Sequence, residues 1–251
     1  FRGYIQIYAA INYRMFTECI SMSESMLGIY GDSGQLIIDD TFNNLQLVDK
    51  SYITLAKPKA WANGKMFRDP SIVSMTNALI CAVELSGNPV CAVHKAITSS
   101  TEPCCYVVVP SSVSVDKIAC YLFGIRHQVG RFGVEVFDSQ GNCIFNANNK
   151  YMRVVGYTDG VLNASIEQSV LTLPKSNQIR KYAIAFPATI LYAQAVSGEP
   201  AMFYIGAHAY IRDGQVFVRS EVVFAHWKPI GMEYGNIYPR FDCMIIDVTG
   251  L

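Results

Sequence analysis

FGVEVFDSQGNCIFNANNKYMRVV, Phe132 to Val155, has a counterpart earlier in the chain, LGIYGDSGQLIIDDTFNNLQLV, Leu27 to Val48. Setting Gly34 on Gly141 fixes an offset of 141 − 34 = 107 that runs without a gap. Ile29-Tyr30 then falls on Val136-Phe137, Leu36-Ile37-Ile38 on Cys143-Ile144-Phe145, Asp39 on Asn146, and Leu45 to Val48 on Met152 to Val155. Each copy reads as a strand, a polar turn closed by glycine, a second strand, a polar loop and a third strand. Asp before the turn bonds its own backbone, and Gly closes it because it accepts positive φ. A match carried through that many elements predicts two units of one kind in tandem.

Beyond the two copies the pattern stays that of short strands. Ser51 to Ala56, SYITLA, resembles Ser169 to Pro174, SVLTLP, and extends the repeat by one strand. Ile80 to Leu85 and Val90 to His94 flank Ser86-Gly87-Asn88-Pro89, which reads as a hairpin turn. Tyr106 to Val109, Ile118 to Phe123 and Tyr182 to Phe186 are further apolar runs. Asp213-Gly214 is a two-residue hairpin turn. Paired residues then sum to 427, setting Ile211 against Val216, Ala209 against Val218, Ile205 against Val222 and Phe203 against Phe224. One face of that hairpin is apolar, and the other carries Arg212 with Gln215, Tyr210 with Phe217, and His208 with Arg219. An apolar stripe at helical spacing is almost absent. The expected fold is all-β, two tandem β-sandwich domains of related topology built from antiparallel strands. Residues 1–26 form N-terminal strands or an attachment segment, 27–124 the first sandwich, 125–131 a linker and 132–251 the second sandwich.

The chain has 251 residues, 51% hydrophobic and 16% charged, with a mean hydropathy of +0.22. A soluble domain usually carries about 25% charged residues. So large a deficit implies apolar surface covered by partners. Twenty Lys+Arg balance twenty Asp+Glu without clustering, which leaves no basic footprint for a nucleic acid. The longest uncharged run, Tyr182 to Gly198, is 17 residues and contains Pro187 and Gln194, short of a membrane span. FRGYIQIYAAINYRMF at the start lacks the features of a signal peptide. The eight cysteines include no C-x-x-C pair and read as reduced core thiols, as expected of a chain made in a reducing cytoplasm. In Cys104-Cys105, alternation puts one thiol in the core and one outside.

Chemistry is hard to find. No G-x-S-x-G elbow is present, and His94, His127, His208 and His226 sit in no recognisable motif. Closely spaced glycines ahead of a helix, as a phosphate cradle needs, are also missing. Asp39-Asp40 reads as solvated turn residues and not as a glycosidase pair. No catalytic residue, cofactor or metal is therefore expected. The candidate functional feature is an aromatic docking or receptor face formed by Tyr204, Tyr210, Phe217, Trp227, Tyr234 and Tyr238, since Tyr and Trp combine apolar area with a polar tip.

GVEVFDSQGNCIFNANNKYMRVVGY at Gly133 to Tyr157, followed by LTLP at Leu171 to Pro174 and CMIIDVTGL at Cys243 to Leu251, resembles small phage tail proteins encoded beside the tail-tip genes of long-tailed, non-contractile phages. The resemblance covers Phe132 to Leu251 well and Leu27 to Gly124 weakly. It implies a virion component at the tail tip, baseplate or fibre attachment; the expected assembly is a homo- or hetero-trimer with other tail proteins, synthesised in the host cytoplasm. It brings no catalytic residues. A receptor-binding module that recognises a host polysaccharide or pilus is the alternative.

Overall fold

A computed structural model describes residues 28–30, 36–39, 45–60, 66–68, 71–95, 104–125, 135–137, 140–141, 143–161, 167–175, 179–186, 191–195, 201–227 and 240–251. Among them the chain is all strand and turn, with no helix. The strands of the first copy and its sequel are β1 (Gly28–Tyr30), β2 (Leu36–Asp39), β3 (Gln46–Thr54), β4 (Lys59–Ala60), β5 (Met66–Phe67), β6 (Ser71–Ser74), β7 (Ile80–Glu84), β8 (Cys91–Lys95), β9 (Cys104–Val108) and β10 (Lys117–Gly124). The rest are β11 (Glu135–Phe137), β12 (Cys143–Asn146), β13 (Val154–Val161), β14 (Gln168–Thr172), β15 (Tyr182–Ala185), β16 (Leu191–Ala195), β17 (Ala201–Arg212), β18 (Gln215–Trp227) and β19 (Arg240–Asp247). The expected 1–26 segment and residues 126–131 of the expected linker lie outside the described residues.

All pairing between these strands is antiparallel. The largest sheet has six strands in the order β13-β19-β15-β7-β10-β3, and smaller sheets run β14-β18-β17-β16 and β6-β9-β8. Position in the sheet explains the sequence patterns. β10 and β15 are interior strands buried almost throughout and read as continuous apolar runs, whereas the edge strands β3 and β13 alternate. Alternation within the interior strands divides the core in two. Cys81, Val83, Cys120, Ile184, Cys243 and Ile245 face a cluster shared with Val73, Cys105 and Val107 of one small sheet and Ala207, Ala209, Val216 and Val218 of the other. Ala82, Tyr121, Phe123, Ala183, Ala185 and Ile246 face the opposite way, under Leu45, Leu47, Met152 and Leu251.

The repeated stretches pair alike. Gly28 meets Asp39, Ile29 meets Ile38 and Tyr30 meets Leu36, leaving Ile37 as a bulge. Adding 107 to each number gives the other hairpin, with Glu135 on Asn146, Val136 on Phe145, Phe137 on Cys143, and Ile144 as the bulge. The third strands agree as well. Opposite β10, β3 skips Val48 between Leu47 and Asp49, and opposite β19, β13 skips Val155 between Val154 and Gly156. A bulge adds one residue and redirects the strand, so its recurrence at corresponding residues is specific. Two contacts then join the copies to each other. Val83 pairs with Ile184 and Glu84 with Ala183, which makes the six-stranded sheet continuous. On its second face, Leu47 donates to the Lys150 carbonyl and Met152 to the Leu45 carbonyl, at 2.7 and 2.8 Å, so the corresponding residues Leu45 and Met152 meet.

Three sequence expectations are corrected. Ser86-Gly87-Asn88-Pro89 is not a hairpin turn, because β7 lies in the six-stranded sheet and β8 pairs with β9 in another. The chain changes layer there, and its backbone groups are satisfied by β17 instead: Ile211 donates to the Ser86 carbonyl at 2.7 Å, and Val90 and Ala209 exchange bonds at 2.9 and 2.8 Å. SYITLA and SVLTLP do not correspond, since Ser51 to Thr54 belong to β3 in the six-stranded sheet and Ser169 to Thr172 to β14 beside β18. Both Cys104 and Cys105 are buried, at 7% and 0% exposure.

Close packing at the glycines gives a stability test. A Cβ on Gly124 would lie 2.3 Å from the Asn77 carbonyl oxygen, a backbone atom, whereas one on Gly156 would meet the Leu171 side chain, which can turn away. Gly124→Ala is expected to cost about 2–3 kcal/mol and Gly156→Ala about 1 kcal/mol, measured by urea unfolding; equal costs would show that the Asn77 turn yields freely.

Candidate docking face

The Asp213-Gly214 turn has φ of 51° and 73°, the double positive φ whose twist suits a two-residue hairpin. The register from that turn runs Arg212 to Gln215, Ile211 to Val216, Tyr210 to Phe217, Ala209 to Val218, His208 to Arg219 and on to Ile205 with Val222. A bulge at Val223 then shifts it, so Tyr204 faces Phe224 and Phe203 faces Ala225, not Phe224 as the unbroken sum requires. Ala207, Ala209, Val216 and Val218 enter the core. The residues between them project from the other side of the sheet.

On that side the rings of Tyr210 and Phe217 stack with centroids 5.6 Å apart. The Arg212 guanidinium lies 4.3 Å over Phe217, and that of Arg219 lies 5.5 Å from the Tyr210 ring. Glu167, immediately before β14, accepts from the Tyr210 hydroxyl and from Arg212. The Tyr210 hydroxyl and then Arg212 hold the Glu167 carboxyl below its ordinary range, while burial and Glu167 push the Tyr210 phenol up. Tyr210 is only 5% exposed. What the face offers a partner is a cation-capped stack with guanidinium donors, not a bare ring.

The structure brings together Tyr210 and Phe217 of the expected docking residues. Tyr204 and Trp227 lie toward the end of the hairpin remote from the turn, with Tyr204 roughly 20 Å along β17 from Tyr210. Tyr234 and Tyr238 lie outside the described residues. Arg212 and Arg219 follow from the hairpin register, but Glu167 does not, because nothing local to it announces that β14 pairs with β18.

His208 sits on the same side at 0% exposure. Its Nδ1 is 3.1 Å from the Gly206 carbonyl, which fixes the proton there, and Nε2 has no hydrogen-bond partner. Burial pulls its pKa down to about 4, with the Arg219 charge acting the same way. The imidazole is therefore a neutral core group.

Near the other side of the turn, Thr172, Leu173, Lys175, Arg180, Tyr182 and Asp213 line an open cleft of about 400 Å³. Arg180 there is engaged with Asp247 at 3.2 Å. Among the described residues no group of three or more His, Cys, Asp or Glu could hold a metal ion, and no helix is long and apolar enough to cross a membrane. The six described cysteines whose side chains are placed are free. Cys81 touches Cys105 and Cys120 in the core, and Cys105 holds its thiol well above the ordinary range. Burial pushes Cys243 up to about 12. Comparison with known protein families, with characterised proteins and with solved structures returns no match.

Two measurements follow. Because the folded pKa of His208 lies below the unfolded value of 6.5, the unfolded chain binds the extra proton, and stability is lost as pH falls from about 6.5 toward 4. The full effect is about 3 kcal/mol, and His208→Gln is expected to flatten that part of the pH–stability curve; an unchanged curve would put the acid sensitivity elsewhere. Cys81, Cys105, Cys120 and Cys243, all at 0% exposure, are expected to resist a thiol reagent in the native protein and to react in denaturant, as mass spectrometry of the labelled chain would show.

Proposed function

We propose that the chain is a non-enzymatic structural subunit of a bacteriophage tail, two related β-sandwich units that hold neighbouring tail proteins through apolar contacts at the tail tip, baseplate or fibre attachment. The observation that carries this reading is a charge-poor chain with large apolar side chains left in solvent. Ile179 is 94% exposed, Ile72 64%, Tyr157 60%, Leu79 59% and Tyr52 56%. Tyr52 and Tyr157 stand on the two edge strands of the large sheet, Ile72 on β6, and Leu79 and Ile179 in the segments before β7 and β15; such scattered apolar exposure suits a subunit built into an assembly. The resemblance of Gly133 to Tyr157 and Cys243 to Leu251 to phage tail proteins supplies the kind of assembly. The receptor-binding alternative would draw on Tyr210 and Phe217, and the stacking and burial of Tyr210 weigh toward assembly instead.

Purified phage particles decide between them. The chain is expected in the particles at a fixed copy number by quantitative mass spectrometry, and its presence only in the unassembled fraction of a lysate would sink the proposal. Tyr210→Ala with Phe217→Ala is expected to leave host adsorption by intact particles unchanged; lost adsorption would favour the receptor-binding reading.

A further inference from the structure

The two edge strands of the six-stranded sheet are β3, which beyond β10 meets only Lys150 to Met152 at its start among the described residues, and β13, which pairs with β19 alone among the described strands. An open edge is a template for another strand, and charged side chains, lysine above all, are the usual protection. β3 is protected in that way. It carries Asp49 and Lys50, the Lys50 Nζ donates to the Leu251 carbonyl at 2.8 Å, and the ammonium of Lys117 lies 5.0 Å from the Tyr52 ring. β13 has no lysine, arginine or proline, and Asp159 is its one charge. Val154, Tyr157 and Val161 stand on one face of it at 43%, 60% and 43% exposure. Its glycines are accounted for from inside, since a Cβ on Gly156 would meet Leu171 at 2.5 Å and one on Gly160 would meet Phe241 at 2.8 Å. The inner face of β13 is thus explained by packing and its Val161 carbonyl accepts from the Gln168 Nε2 at 3.0 Å, while the Val154–Tyr157–Val161 stripe stays in solvent.

We propose that β13 is where two copies of this chain pair, edge to edge and antiparallel about a two-fold axis. The sheet already contains such a junction, because β7 and β15, corresponding strands of the two halves, meet antiparallel at its centre. A strand that pairs with its own copy about a two-fold axis must also run antiparallel. Charge order along the strand fits: Arg153 stands just before β13, reaching Asp247 at 3.6 Å with its side chain still 47% exposed, and Asp159 lies near the far end. Antiparallel self-pairing sets the Arg153 end of one copy beside the Asp159 end of the other, twice. The net charge of the chain is zero, so no general repulsion opposes it. The assembly is a two-fold pair in place of the trimer expected from sequence, and it stands independently of the tail reading.

Light scattering on the purified full-length chain, run at several micromolar concentrations, tests this. A dimer is expected. Tyr157→Lys with Val161→Lys sets like charges across the pairing strands and is expected to weaken the dimer by about 100-fold or more. Tyr52→Lys on the opposite edge is expected to leave it intact, and circular dichroism checks that each variant is folded. Asp159→Arg, at an exposed position, is expected to weaken the dimer on its own. A monomeric or trimeric wild-type chain would overturn the proposal, as would a dimer indifferent to the β13 changes.

Discussion

The antiparallel contact between β7 and β15 is the constraint on which the remaining structure depends. It lies in the middle of the large sheet, and both strands are covered above and below. Interior strands must have neither a polar face nor an unpaired edge, which is why ICAVE and YAIA carry so little that is polar. Glu84 is the exception, and it is matched where it stands, taking Lys181 at 3.4 Å and the Tyr121 hydroxyl at 3.2 Å. Separation of these two strands would expose Val83 and Ile184 together and open both clusters at once. The crossing of Leu45 over Met152 on the second face closes the same junction from outside.

The two copies keep the junction and differ at its margins. Lys50 of β3 corresponds to Tyr157 of β13 at the offset of 107. Their partners, Tyr121 and Met244, differ in step: Lys50 lies 4.9 Å from the Tyr121 ring and reaches the Leu251 carbonyl, while Tyr157 stands in solvent beside Met244. The first copy is thereby covered at Lys50 by the Leu251 segment, and among the described residues the corresponding Tyr157 has no such cover. Small sheets diverge too, since the second half has β16 and the long β17–β18 hairpin where the first has only β8 and β9. Pairing registers and bulges are the retained features because a one-residue slip would send every core side chain to the wrong face.

How much of this could be seen in the sequence follows from the range of the interactions. Turn chemistry is local, so Asp213-Gly214 sets the hairpin and its first eight pairs, and the repeat implies two like hairpins. Layer assignment is not local. Ser86-Gly87-Asn88-Pro89 has every mark of a hairpin turn, yet the strands it joins lie in different sheets, because Val83 finds Ile184 a hundred residues away and Val90 finds Ala209. The match of SYITLA with SVLTLP fails for a related reason: Leu55 and Leu173 are both core residues, so a shared apolar pattern arose at two unrelated places. At the docking face, alternation disclosed Tyr210, Phe217, Arg212 and Arg219, while Glu167 needed the β14–β18 pairing and the burial of His208 needed whatever lies over that sheet.

Where the ionic groups sit bears on why so few are left for the surface. Asp247, with its side chain 8% exposed, lies within reach of Arg153 at 3.6 Å and Arg180 at 3.2 Å, and accepts from the Thr249 amide at 2.9 Å. That triad ties the end of β19 to the segments that lead into β13 and β15. Glu167 does the same for β14 and β17 through Arg212, and Glu84 for β7 and β10 through Tyr121. Exposed pairs of this kind add little stability individually, but each joins segments distant in sequence and so helps fix which strands are neighbours. With 16% of the chain charged and Asp247, Arg153, Arg180, Glu167 and Arg212 engaged in such ties, the exposed face of β13 carries Asp159 beside Val154, Tyr157 and Val161. A chain arranged in this way keeps its strand pairing specific within itself.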